Sequence, residues 1–568
     1  AHRAAMREVD HIGGDGRLVL DGDGQPLRVS FAEKLIVPVL AKLANLVPGG
    51  GIWMNTQRPE WNDANNALVG NGLSMVTTCQ LHRHATLLGE LFETAAAGQP
   101  LHISRHVVEW LDATLAVCDE QAALIDAKQV DGRDRKRFVD AMGRAFSAYR
   151  QRVYADGPGE AVACDVADIR RMLDACRRLC AAAIAANRRD DGLYHSYNLL
   201  QLDPADEAIT IGRLSEMLEG QVAAIGSGLL EPAEAADLVD AMYASDLYRP
   251  DQKTFTLYPA RQPAGFFERN IVPADRVEAN PLLRQLVEAG PNAILVRDAA
   301  GVYRFGPTLA NADRLRDALD ELAGEQPWRE LVQAHRDDVL DVYERVFAHS
   351  RFTGRSASMF GYEGIGSVYW HMVAKLLVAL QHCAVEGHRR GADAGDVQRV
   401  VDAYRRVQDG LGFRKTARQY GAFVFDPYSH TPAHAGAQQP GMTGQVKEEI
   451  INRWAELGVR VEDGRLGFHP APFVLEPGVA DAMAWRPGDP GGEGADDAID
   501  LRPGDRAFTC CGTPVVYRAA ADFAGTRLIR ADGSTHGIDG AWLDPATSER
   551  LFARRGQVKL IEVAPDHR

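Results

Sequence analysis

The sequence predicts a mainly helical fold that ends in a β-rich region, and two observations predict it. Apolar residues recur at helical spacing in about twelve segments between residues 31 and 457. Beyond residue 470 that period gives way to short apolar runs set between Gly and Pro turns. The helical segments, mostly about 15–24 residues long, suit a helical toroid. No repeat of about 34 or 40 residues marks a helical solenoid.

In chain order, residues 1–30 read as a short hairpin or linker, RLVLDGDGQPLRV, around a Gly/Asp turn. FAEKLIVPVLAKLANL (31–46) is amphipathic, with Pro38 as a kink or boundary. Helical spacing follows at 73–96, 102–126, 134–154, 165–187, 210–224, 232–244, 308–324, 327–349, 366–387, 394–410 and 444–457. The stretches 188–205 and 247–306 read as non-helical, the second closing with a hairpin at 292–306. RPGDPGGEGADDA (486–498) is a linker or exposed loop. Residues 470–568 then read as a β-rich C-terminal domain with a sandwich-like core.

Composition narrows the function. Lys and Arg total 63 against 78 Asp and Glu, a formal charge of −15. That balance lacks the cationic footprint of general nucleic-acid binding. No apolar run approaches the ~18–20 residues that span a bilayer. The eight cysteines form no CxxC pair and show no zinc-type spacing, which predicts reduced core residues, a cytoplasmic setting and no metal site. There is no P-loop, GxSxG or HExxH. The N-terminus carries no signal-peptide pattern.

Three polar segments carry candidate chemistry. The first runs from Arg58 through Pro59, Glu60, Trp61, Asn62 and Asp63 to Asn66. Cleaving a glycosidic bond needs an acid to protonate the leaving oxygen and commonly uses an aromatic plate for the sugar ring. Asp63 and Trp61 supply those two groups; the same residues equally suit an Asx-rich helix cap. The second segment, Ser358 to His371, sets Tyr362 and Glu363 among three glycines ahead of a helix that opens with Trp370 and His371. It reads either as a close-approach loop with converging Glu363 and His371 or as a glycine-rich helix start with a buried histidine. The third, His430 to Glu449, is a Pro/Gly loop running into a helix with Val446, Ile450, Trp454 and Leu457 on its apolar side. Thr443 and Gly444 at that helix start form an anion site or an ordinary N-cap. Pro432 between His430 and His434 argues against a metal pair at helical spacing. His82 and His84 read as structural, Arg351 and Arg355 as anion holders or surface ion-pair partners, and Cys510 and Cys511 as strand neighbours on opposite faces.

In this order, the Trp-Asn-Asp motif, the Glu–Gly-rich–His segment, the Gly-containing Thr loop and a β-rich end resemble glycoside hydrolase family 94, the cellobiose and chitobiose phosphorylase group. The resemblance implies an (α/α)6-type helical barrel over 31–469, with an inserted region at about 100–310 and a β-sandwich-like C-terminal domain. It implies Asp63 as the general acid. It places the sugar against Trp61, Arg58, Glu60, Asn62, Tyr362 and Trp370, and phosphate against His371, Thr443 and Gly444. It further implies inverting phosphorolysis of a β-linked glucan or oligosaccharide, inorganic phosphate as co-substrate without other cofactor, and a homodimer. The Glu363-to-His371 spacing is one residue longer than in those phosphorylases, and their N-terminal β-sandwich has no counterpart, so the resemblance is to a divergent relative or one lacking its N-terminal part. Two other readings are an inverting hydrolase with Glu363 as general base and a non-catalytic scaffold whose candidate residues line no common pocket.

Overall fold

Most of the apolar spacing becomes helix. The computed structural model describes residues 25, 28–55, 68, 70–95, 100–125, 127, 129–157, 159–203, 205, 207–259, 265–348, 368–411, 415–416, 430–431, 446–473, 478–487 and 498–564. Helix α1 (Phe31–Leu43) starts where the Ser30 hydroxyl accepts from the Glu33 amide at 3.2 Å. It buries Ile36, Val39, Leu40 and Leu43, and it continues through Pro38 instead of ending there. The tight apolar packing of that face offsets the backbone bond that proline removes.

Helices α2 (Met75–Ala95), α3 (Arg105–Glu120), α4 (Gly132–Asp156) and α5 (Val166–Ala185) complete the first helical layer. Their buried faces share one core with α1, built on Phe92, Val107, Trp110, Phe138, Ile169 and Leu179. Against it lies a five-stranded antiparallel sheet ordered 46–47, 51–53, 72–74, 197–203 and 208–213. This corrects the helix expected at 210–224. Ala208–Arg213 is an edge strand, and helix begins only at α6 (Leu218–Gly226). The alternation in AITIGR fits a half-covered strand, and pairing with Tyr197–Asp203 decides in its favour.

A second core joins α2 and α6 to α7 (Pro232–Ala244), and to two helices that come later in the chain. Every residue of α6 is buried. Next in the chain comes a module with a core of its own, built among the described residues only from 272–347. It comprises α8 (Ala274–Ala279), α9 (Pro281–Ala289), the hairpin Leu295–Arg297 with Tyr303–Phe305, α10 (Ala312–Ala323) and α11 (Trp328–Phe347). The hairpin agrees with the sequence reading; the short helices correct the non-helical reading of 247–306. Asn280 caps α9 and Pro281 occupies its first turn, which sets Leu282, Leu283 and Leu286 inward.

The later helices are α12 (Trp370–Arg389), α13 (Ala394–Gln408) and α14 (Val446–Glu456). The chain closes in a five-stranded sheet ordered 506–510, 513–517, 558–563, 526–530 and 535–538, with α15 (Pro545–Phe552) beside it. Val515, Leu528 and Ile561 bury one face; Val516 and Leu560 bury the other. Cys511 is a turn residue with φ +53°, followed by Gly512 at +82°, so the two adjacent cysteines do not share a strand as the sequence suggests. Among the described residues no helix is long and apolar enough to cross a membrane.

Candidate functional site

Of the predicted site residues, Trp370 and His371 are described; Arg58, Glu60, Trp61, Asn62, Asp63, Tyr362, Glu363, Thr443 and Gly444 lie outside the described residues, as do Arg351, Arg355 and His434. The structure does place the stems that carry them. The strands on either side of the first segment in sequence, 51–53 and 72–74, pair directly. The Met54 amide donates to the Gly72 carbonyl at 2.8 Å, and the Gly70 amide donates to the Met54 carbonyl at 2.7 Å. The second segment ends in strand Val368–Tyr369, and the third begins after strand His430–Thr431. These two strands pair antiparallel, Val368 opposite Thr431 and Tyr369 opposite His430. Leu68, Met75, Tyr369, Trp370 and Val373 then belong to one core. The described residues flanking the first and second segments therefore share one packed interior, and strand His430–Thr431 is tied to it by its pairing with Val368–Tyr369, although about 300 residues of sequence separate the first segment from the other two.

His371 sits in the first turn of α12 and is buried. Its Nε2 lies 3.1 Å from Oε1 of Glu448 on α14, and its Nδ1 lies 3.3 Å from the Tyr369 hydroxyl. A carboxylate only accepts, so a neutral ring carries its proton on Nε2, and Nδ1 accepts from Tyr369. Burial pushes the His371 ring below the usual histidine range, Lys375 adds to that effect, and Glu448 opposes it. The ring is the protonatable partner facing a buried acid.

Trp370 is wholly buried. Its ring packs inside the core, with Lys415 Nζ 4.7 Å from the ring centroid. Burial brings the Lys415 ammonium down to about 8, and Arg249 nearby pushes the same way. His82 is buried with Nδ1 3.0 Å from the Ser227 carbonyl, a structural placement.

Helix α14 overturns its predicted orientation. Ile450 and Trp454, expected inside, are 48% and 51% exposed; Glu448 and Asn452 are 4% and 3% exposed. Residues 448, 452 and 456 fall within about 80° on a helical wheel, and 450 and 454 lie opposite. Both ends of the polar stripe are tied. Glu448 meets His371, and Glu456 accepts from the Tyr404 hydroxyl at 2.6 Å and from Gln408 Nε2 at 2.7 Å. Among the described residues, Glu448 Oε2 and both amide atoms of Asn452 have no hydrogen-bond partner. Leaving two large apolar side chains in water forfeits about 1.5–3 kcal/mol each, and each orphaned polar atom costs about 1–3 kcal/mol. A helix set against its own pattern in this way marks a functional or strained position.

Sequence reasoning missed Glu448, Tyr369, Asn452 and Lys415. The signal available for two of them was the four-residue interval from Glu448 to Asn452, which sets both on one helix face. Among the described residues, no group of three or more His, Cys, Asp or Glu side chains is placed to hold a metal ion.

The fold and site define a mainly helical protein with a buried histidine–carboxylate pair between α12 and α14 and a separate helical module earlier in the chain. Residues 263–350, which span that module, match the family model described as GH149 phosphorylase insertion domain 2. The match points to a glycoside phosphorylase family related to the family 94 type. No curated protein matches the chain.

Proposed function

We propose that the chain is a glycoside phosphorylase that cleaves β-glycosidic bonds of a glucan or oligosaccharide by inverting phosphorolysis. The observation that carries this reading is the match of residues 263–350 to a phosphorylase insertion domain, in a module whose C-terminal end leads in sequence straight to Glu363. The core shared by the residues that flank the first and second segments supports it. So does a buried histidine backed by a carboxylate at the end of the second segment. In this reading the helices form an (α/α)6-type barrel, and the β-rich end is sandwich-like.

Asp63 is the general acid and protonates the glycosidic oxygen as the bond breaks. Inorganic phosphate attacks the anomeric carbon from the opposite face. It is already a competent anionic nucleophile, so no carboxylate base is needed. Trp61, Arg58, Glu60, Asn62 and Tyr362 bind sugar. Thr443 and Gly444 hold phosphate through a hydroxyl and a helix-start amide, and His371, whose two ring nitrogens meet Glu448 and Tyr369, acts on the phosphate by its charge and through Tyr369. Trp370 acts from behind, as the packed support of the His371 turn. Glu363 takes a catalytic role as base where water replaces phosphate.

The test is sugar release from a panel of β-linked oligosaccharides with and without inorganic phosphate, using Asp63→Asn as control. A phosphate-dependent sugar 1-phosphate, absent with the variant, is the expected result. Phosphate-independent release of free sugar refutes phosphorolysis and assigns the base role to Glu363. No product from either protein refutes the enzyme reading on these substrates.

A further inference from the structure

We propose that Glu448 is a positioning residue for His371: its carboxylate holds the Nε2 proton, so that the charge on the ring sets the direction of the His371–Tyr369 hydrogen bond. The inference deepens the phosphorylase reading and rests on it for the identity of the anion. The geometry is a chain of two contacts, Glu448 Oε1 to His371 Nε2 at 3.1 Å and His371 Nδ1 to the Tyr369 hydroxyl at 3.3 Å. All three side chains are buried. Helix α14 is turned against its apolar pattern to supply the carboxylate, and Glu448 Oε2 has no partner among the described residues. The Glu448 charge is therefore answered chiefly through Oε1, by the His371 ring and by Lys447 Nζ at 3.8 Å.

The direction follows from proton counting. With a neutral ring, Nδ1 is an acceptor and Tyr369 donates to it, so the phenol oxygen faces its surroundings with lone pairs. With a charged ring, Nδ1–H donates to the phenol oxygen, and the Tyr369 proton turns to another acceptor. An anion favours the second arrangement, because it needs a donor and is attracted to the ring charge. The charged groups facing the ring are Glu448 and Lys447 on α14 and Lys375 on α12; Glu448 favours the charged ring, and the two lysines oppose it. Inorganic phosphate bound beside Tyr369 and protonation of His371 thus favour one another. Glu448 works against the burial that disfavours the charged ring.

The experiment is long-range nitrogen NMR on the full chain labelled at histidine, with the His371 signals assigned by loss in His371→Gln. The wild type at high pH is expected to show the Nε2-protonated tautomer. Glu448→Gln keeps the shape and removes the charge, and is expected to lower the His371 midpoint by about one pH unit, tenfold in proton affinity. Glu448→Asp is expected to restore part of it. An Nδ1-protonated ring in the wild type, or an unmoved midpoint in Glu448→Gln, overturns the assignment. The anion arm is read separately. Saturating inorganic phosphate raises the wild-type midpoint and leaves that of Tyr369→Phe unmoved. A wild-type midpoint that ignores phosphate, alongside the expected tautomer and Glu448→Gln shift, overturns phosphate as the anion and leaves the Glu448 pairing established.

Discussion

Asn452 gives the sharpest test of the reading of α14. Its carboxamide is buried, and neither amide atom has a hydrogen-bond partner among the described residues. Asn452→Leu keeps the branched outline of the side chain and removes both polar atoms. Each buried, unsatisfied polar atom costs about 1–3 kcal/mol, so removing two is worth about 2–6 kcal/mol. The larger methyl groups return part of that gain as crowding, about 1–3 kcal/mol in a packed site. A net gain of about 2 kcal/mol in the local stability of α14 is expected. The assay is hydrogen exchange of peptides covering Val446–Glu456, because a chain with several cores need not unfold in one step. About 2 kcal/mol corresponds to roughly 30-fold slower exchange through local opening. Exchange that is unchanged or faster refutes the reasoning, because it means that the carboxamide is satisfied in solution. If slower exchange comes with loss of the proposed phosphorolysis, Asn452 is polar for function.

Other outcomes follow from single contacts. Lys415, brought to about 8 by burial, binds fewer protons folded than unfolded between about 8 and its usual value near 10.5. Stability should therefore rise with pH across that window, with a slope that disappears in Lys415→Met in a urea titration series; a slope retained by the variant refutes the assignment. Glu562 is buried between Arg518 and Arg527, with Oε1 2.8 Å from Arg518 Nε and Oε2 2.7 Å from Arg527 Nε. Glu562→Leu leaves two guanidinium groups partly uncompensated and should destabilise the C-terminal sheet by about 3–5 kcal/mol in denaturant unfolding; a change below about 1 kcal/mol counts against it. Among the described residues, the core built on 272–347 uses no other part of the chain, so an isolated 263–350 segment should show a helical circular dichroism spectrum and cooperative thermal unfolding. A non-cooperative melt would show that the module depends on its surroundings.

Much of the helical layout was legible in the sequence because period 3.6 and burial coincide there. Helices α5, α7, α12 and α13 lie where apolar spacing puts them, and their inward residues are the spaced ones. The failures have separate physical causes. At Ala208–Arg213 a short alternating run was outvoted by its helical neighbours, and only pairing with Tyr197–Asp203 reveals a strand. At Pro38 a local rule predicted a kink or a boundary, and the helix runs on through it, so the boundary alternative fails there. At 274–289 the helices are too short to show a period, and Asn280 and Pro281 were the readable start signal. The candidate site was legible as three segments. Its partners were not, because Glu448 meets His371 across 77 residues and nothing local to either announces the other.

The α14 failure differs in kind, because there the pattern was read correctly and the fold disobeys it. A helix that follows its hydrophobic stripe would bury Ile450 and Trp454 and turn Glu448 away from α12. The observed rotation is held by polar bonds at both ends, from Glu448 to His371 and from Glu456 to Tyr404 and Gln408. Their combined contribution, about 1.5–3 kcal/mol for each bond to a charged group, is of the same order as the apolar burial given up. Neither side wins by a wide margin, so the orientation of α14 is sensitive to what occupies its polar face. Removing the Glu456 contacts with Tyr404→Phe and Gln408→Leu together should let the C-terminal turn swing its apolar side inward. Trp454 fluorescence reports this directly, because the ring now stands half in water. A blue shift is the expected result. An unchanged spectrum would mean that Glu448 and His371 alone fix the helix, which would place the whole orienting force on the pair at the site.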